Sequence, residues 1–261
     1  MNVYEFHRGT TPLLISIPHS GTELPEPLAH RLTVVGRGVP DTDWHVHQLY
    51  DFARGLGASI IKANYSRYVV DLNRSPDSAS LYAGSPTSPV CPTETFGGGF
   101  IYMAGQEPDE HEIAARIEEY WRPYHNRIAT ELMALRTAHG RALLWDAHSI
   151  ASEIPSLFTG VLPEFNLGTR DGASCPRAIS DPLLDIVLSD GEFGAVLDGR
   201  FKGGYITDHY GKPAQGVFAV QLELARRAYM DEELEQVWDA QHAQRAQVLI
   251  DKLLRKFLTS K

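Results

Sequence analysis

Five short apolar runs punctuate this chain: "LLISI" (13–17), "ASIIKA" (58–63), "ALLWDA" (142–147), "FGAVLDG" (193–199) and "VFAVQLEL" (217–224). Runs of that length with no polar alternation are buried on both faces, which is the pattern of inner strands. The segments between them read as helices. "DTDWHVHQLYDFARGLG" (41–57) opens on an Asp-Thr-Asp cap candidate, carries Trp44, Leu49, Phe52 and Leu56 near helical spacing and ends in glycine. Residues 109–139 repeat apolar side chains at Ile113, Ile117, Tyr120, Tyr124, Ile128, Leu132 and Leu135, with Pro123 expected to kink the helix. A third helix is expected from about Asp231 to the C-terminus. Strands joined by helices of crossover length predict a three-layer α/β/α fold with a mostly parallel, mixed sheet. No composition shift marks a boundary, so residues 1–261 read as one domain.

Charge and composition narrow the partners. With 24 basic against 33 acidic residues the chain carries −9, and no Lys/Arg block offsets it locally, so nucleic acid is not an expected partner. No apolar run approaches 18 residues and the N-terminus lacks a basic segment followed by an apolar core, so neither membrane nor export is expected. Cys91 and Cys175 stand far apart with no C-x-x-C pairing, which fits a reduced compartment and, by default, the cytoplasm. The oligomeric state is not readable.

In open α/β sheets, ligands gather at the carboxyl ends of strands. There the same chemistry recurs: His19 and Ser20 follow the first run, Asp146, His148 and Ser149 close the third, Glu223 lies in the fifth, and "SRYVVDLNR" delivers Arg67, Asp71, Asn73 and Arg74. Two histidines and a carboxylate around one open position suit catalytic Zn²⁺, or another divalent ion. Glu23, Asp41 and Asp43 all qualify as the carboxylate; Asp43 is favoured, with Asp41 close behind. Asp146 suits an outer partner of a ligating histidine. Glu223 is a charge in an apolar run, expensive unless used or paired. Arg74 and Arg67 are fork donors suited to a carboxylate, although either can simply pair with Asp71. "GGYITDHYG" (203–211) reads as a structured loop in which Tyr205, Thr207 and His209 offer donors. The stretch from Ser75 to Pro108 is too long for a plain connection and is expected to fold over a site.

"IPHSG", "PDTDWHV", "SRYVVDLNR", "YWRPYHNRI", "ALLWDAHSI", "NLGTRDGASC" and "GRFKGGYITDHYGKPAQGVFAVQLELARRAYMDE" together resemble the N-formylglutamate amidohydrolases, in order and over nearly the whole chain. The resemblance implies a phosphorylase/hydrolase-like, zinc-exopeptidase-like fold, related to the carboxypeptidases and the aspartoacylase group. It implies that His19 and His148 ligate zinc, that Asn73 and Arg74 bind substrate and that Glu223 is the general base. The implied reaction is hydrolysis of N-formyl-L-glutamate, a small-molecule N-acyl amino acid, at the end of a histidine-degradation route. Three positions depart from the family pattern: Thr22 replaces the glutamate of a His-x-x-Glu ligand pair, Asp208 stands where a basic residue is usual, and His47 where an acid is common. The first leaves the third ligand open. The others leave room for an N-acetyl or N-succinyl substrate, and a non-catalytic metal- or metabolite-binding domain is the remaining alternative.

Overall fold

The computed structural model describes residues 2–77, 88–235 and 237–260. Its centre is a seven-stranded sheet: β1 (Tyr4–His7), β2 (Leu13–Ile17), β3 (Ser59–Ala63), β4 (Ala142–Ile150), β5 (Phe165–Gly168), β6 (Ala195–Leu197) and β7 (Val217–Ala225). They lie in the order β1-β3-β2-β4-β7-β5-β6. β3, β2, β4 and β7 are mutually parallel, as are β5 and β6, whereas β1 on β3 and β5 on β7 are antiparallel. The sheet is therefore mixed and mostly parallel, as the runs predict.

Alternation along the inner strands divides their side chains between two layers. Leu13, Ile15 and Ile17 of β2, Leu143 and Trp145 of β4, and Val220, Leu222 and Leu224 of β7 pack with α3 (Arg177–Asp190) and α5 (Ala240–Thr259) through Leu183, Val187, Leu249, Leu253 and Phe257. On the opposite face Leu14, Leu144 and Ala219 belong to one apolar layer with Tyr124, Ile128, Leu132 and Leu135 of α2 (Arg122–His139), and Ile113 of α1 (Glu110–Arg116) packs against that layer. The small helix α4 (Tyr205–Tyr210) covers the same face with Ile206. No described helix is long and apolar enough to cross a membrane.

Several expected elements differ. The helix expected over 41–57 is instead a turn at 41–45, one helical turn at Val46–Leu49 and a tight turn at Asp51–Leu56. His45 takes φ +60°, a left-handed conformation that stops a helix from starting earlier, and Asp43 N–H is drawn to the His19 carbonyl at 3.0 Å. Pro123 is absorbed by a widened π-type turn at Ile117–Trp121 immediately ahead of it, which accommodates the missing amide without ending the helix. The last helix begins at Ala240, where Asp239 caps Gln241 and His242; residues 232–234 form only a single tight turn. "YITDHY" is α4, not a loop, and β4 continues past Ala147 so that His148 lies inside the strand. Residues 78–87 of the Ser75–Pro108 stretch lie outside the described residues.

Gly21, just past His19, is where the backbone passes so close to the end of β3 that an added Cβ would lie 2.5 Å from the Asn64 carbonyl carbon and the Tyr65 oxygen. Gly21→Ala is expected to cost about 1–3 kcal/mol in urea denaturation, because a backbone collision has no rotamer to relieve it. At Gly55 an added Cβ meets nothing within 4 Å. Gly55→Ala is expected to be neutral or stabilising by up to about 1 kcal/mol.

Candidate active site

On β4 the odd-even alternation places Asp146 and His148 on the α2 face, and the register Asp146↔Gln221, His148↔Glu223 puts β7's two polar side chains beside them. Below this pair of rungs the same face is apolar, with Ala142 and Leu144 against Val217 and Ala219. The polar patch is thus confined to the carboxyl halves of the central strands.

His19 and His148 turn their Nδ1 atoms toward each other, 3.2 Å apart. Asp43 Oδ2 lies 3.1 Å from His148 Nδ1 and 3.7 Å from His19 Nδ1. All three residues are buried. Their outer nitrogens are anchored: His19 Nε2 to Asp71 Oδ1 at 2.8 Å, and His148 Nε2 to Asp146 Oδ2 at 3.1 Å. His148 Nε2 also lies 3.1 Å from Asn73 Nδ2, and in the tautomers that carry their hydrogens on Nε2 both Nδ1 atoms present lone pairs to the Asp43 oxygen and to each other. Three acceptors so arranged are a suitable ligand set for a cation.

A tetrahedral metal with ligands at about 2.0–2.2 Å separates its donor atoms by roughly 3.3–3.6 Å, and the three observed edges bracket that range. The wider charge balance agrees. Asp43, Asp71, Asp146 and Glu223 are all buried against a single buried guanidinium, Arg67, whose Nη2 donates to Asp71 Oδ2 at 2.7 Å and whose Nη1 is 3.9 Å from Asp43 Oδ1. The residues fit a divalent cation.

Burial opposes charge on His148, but Asp146 and Asp43 outweigh it and raise its pKa well above the usual imidazole value. Burial also opposes charge on Asp43, yet the hydrogen bonds from His148 and His19 hold its carboxyl below the usual range. Glu223 behaves in the opposite way: burial, reinforced by Asp43 and Asp146 against the opposing pull of His148 and Arg67, pushes it up to about 8. Its Oε2 accepts from Gln221 Nε2 at 3.3 Å.

Of the three candidate carboxylates only Asp43 reaches the histidines. Asp41 Oδ2 accepts from Tyr68 Oη at 2.7 Å and from Phe96 N–H at 3.0 Å, and Glu23 is exposed. Arg67 lies over the Phe96 ring at 4.8 Å, so part of the 75–108 stretch does pack beside the cluster. Asn73 Nδ2 sits 3.1 Å from His148 Nε2, with Asn73 Oδ1 held by Ile206 N–H at 2.8 Å. Arg74 directs Nε to Ser88 Oγ and Nη1 to the Asn73 carbonyl. Tyr205 donates its N–H to the Asn73 carbonyl, and its hydroxyl is 3.2 Å from His209 Nδ1. Asp208 Oδ1 accepts from Arg170 Nε at 2.7 Å, and His47 lies among Lys62, Asp51 and Glu5, facing the edge of the sheet where β1 pairs with β3. Gln221 was not singled out from the sequence; its position two residues before Glu223, hence on the same strand face, was the available signal.

The fold and this cluster define a three-layer α/β protein with a histidine–aspartate centre suited to a divalent cation at the carboxyl ends of its strands. Residues 11–230 match the N-formylglutamate amidohydrolase family, and the chain belongs to it. It is 48% identical over 256 residues, 98% of this chain and 96% of the relative in each case, to proteins named N-formylglutamate deformylase from Pseudomonas putida and Pseudomonas aeruginosa. Its fold is similar to that of an N-formylglutamate amidohydrolase from Ralstonia eutropha JMP134, with TM-score 0.78 and 22% identity, covering 100% of this chain and 98% of the other. It is also similar to a gene product of Agrobacterium tumefaciens, with TM-score 0.72 and 18% identity, covering 98% and 96%.

Glu223 supplies a test of this electrostatic picture without any metal. Its folded pKa near 8 exceeds the ordinary 4.5, so the folded state holds a proton that the unfolded state has lost, and stability falls as pH rises from about 4.5 to 8. Glu223→Gln is expected to flatten that fall and to stabilise metal-free protein at pH 8 by on the order of 2 kcal/mol in urea denaturation.

Proposed function

We propose that this chain hydrolyses N-formyl-L-glutamate to formate and L-glutamate, with a divalent metal, zinc in the first instance, held by His19, Asp43 and His148. The observation that carries the reading is the inward-facing Nδ1–Nδ1–carboxylate triangle, backed by Asp71 and Asp146, in a chain so similar to proteins named for that reaction. When bound, the metal supplies a water acidic enough to ionise near neutral pH and a positive charge for the formyl carbonyl.

The chain's own residues do the rest. Glu223, beside His148 on the next strand, takes the proton of the attacking water and returns it to the departing amine nitrogen. A carboxyl pushed up by burial and neighbouring acids is suited to carrying a proton both ways. Asn73 and Arg74 hold a carboxylate of the substrate and Tyr205 closes that side, orienting the amide toward the centre. Arg67 is committed to Asp71, so in this reading it fixes the cluster and contributes charge to substrate binding. Asp208 does not argue for a different substrate, because its charge is matched by Arg170. The reaction closes a histidine-degradation route in the cytoplasm, for which the two buried, unpaired cysteines are suited.

The test is formate release from N-formyl-L-glutamate by protein as purified, after chelation and after zinc is restored, beside N-acetyl- and N-succinyl-L-glutamate. Activity on the formyl compound that is lost and regained is expected; preference for another acyl group overturns the substrate, and activity indifferent to chelation overturns the metal. Glu223→Gln is expected to lower kcat by roughly 10²–10⁴-fold with metal content unchanged.

A further inference from the structure

The turn at 71–74 carries Asp71, which anchors His19, and Asn73, which touches His148, and it is fastened from outside the cluster. Its carbonyls are taken one by one: Asp71 O by Arg74 N–H, Leu72 O by His125 Nε2 at 2.8 Å, Asn73 O by Tyr205 N–H, and Arg74 O by Trp121 Nε1 at 3.0 Å. Arg74 Nη1 adds a second bond to Asn73 O, and the two side-chain donors from outside the turn come from one place. Trp121 ends the widened turn ahead of Pro123, and His125 follows it by four residues, so their rings stack at 3.7 Å and 21° with both N–H groups facing the same loop.

We propose that Trp121 and His125 are positioning residues, and that the π-type turn exists to set them in register with the 71–74 turn and so to place Asn73 against His148. Mid-helix π turns interrupt good hydrogen bonding and gather where a site needs a side chain offset by part of a turn. Here the offset places two donors on two carbonyls separated by one residue. The Leu72 carbonyl can only accept, so Nε2 is the donor; the Tyr210 hydroxyl lies 3.0 Å from both His125 Nδ1 and the His125 carbonyl oxygen and holds the other side of the ring. Burial pushes His125 down to about 3, so the donor stays neutral and unchanged across the working range. The groups facing its ring are Trp121, Tyr124, Tyr205 and Tyr210, and among titratable groups His209 acts on it electrostatically.

The test uses full-length protein with His125→Phe, which keeps the stack and removes both nitrogens, and His125→Gln, whose amide can again donate to Leu72 O. Hydrogen exchange is followed in peptides covering residues 71–77 and, as reference, β4 and β7. His125→Phe is expected to speed exchange about tenfold at 71–77 with little change in the reference strands, and His125→Gln to restore most of the protection. The kinetic arm rests on the deformylase reading: His125→Phe should raise KM for N-formyl-L-glutamate about tenfold or more, with metal content retained and kcat changed much less. Unaltered exchange at 71–77, equal loss of protection in the reference strands, or failure of glutamine to restore protection overturns the proposal. A wild-type protein that releases no formate overturns the reading of the substrate instead, and the exchange arm still decides the clamp.

Discussion

Two imidazoles, each with its outer nitrogen beside an aspartate, turn their inner Nδ1 atoms toward each other and toward a third carboxylate, within 3.7 Å. That arrangement is unfavourable unless a positive charge sits inside it, and much of the surrounding structure follows from holding it closed. Burial raises the electrostatic stakes, since every unpaired charge there lacks water. A cluster of Asp43, Asp71, Asp146 and Glu223 in which Arg67 is the ion-paired guanidinium is rich in acid, a charge balance that suits a bound cation.

The sheet makes such a cluster possible by separating its two jobs along the strands. Leu143, Leu144 and Trp145 early in β4, and Phe218, Ala219 and Val220 early in β7, are packed between helices, while Asp146, His148, Gln221 and Glu223 follow on one face two residues apart. Parallel pairing brings those later halves to the same end, so a polar patch arises without interrupting the apolar layers. The peripheral elements then hold loops against it: Arg226 Nη2 donates to the carbonyls of Pro40 and Thr42 on either side of Asp41, and Tyr229 Oη lies 2.7 Å from both Trp44 O and Ser149 Oγ.

Much of this was legible in the residues. Inner strands declare themselves because burial on both faces forbids polar alternation, and β2, β3, β4 and β7 were found within a few residues of their observed limits. Histidines and acids at strand ends pointed to side chains that the structure brings together in His19, Asp43 and His148. What escaped was set by tertiary demand. The 41–57 segment has helical periodicity, but bringing Asp43 to His148 takes a left-handed His45, a choice only the folded site rewards. β1, β5 and α4 are too short for a periodic signal, and β5 contains Asn166 and Gly168, poor strand formers whose roles are to bond the Glu223 carbonyl and to let Gly203 approach. Trp121 and His125 lie within the long helical repeat through Tyr120, Tyr124 and Ile128, and nothing in a linear pattern marks a donor aimed at a loop about fifty residues away.

X-ray absorption at the zinc edge, on metal-free protein reconstituted with a single equivalent of zinc, tests the central claim most directly. A four-coordinate N/O shell at about 2.0–2.1 Å is expected, with outer scattering from two imidazoles, no sulfur, and the loss of stoichiometric binding in Asp43→Ala but not in Asp41→Ala. Zinc that does not bind, or a shell without two imidazoles, would contradict it.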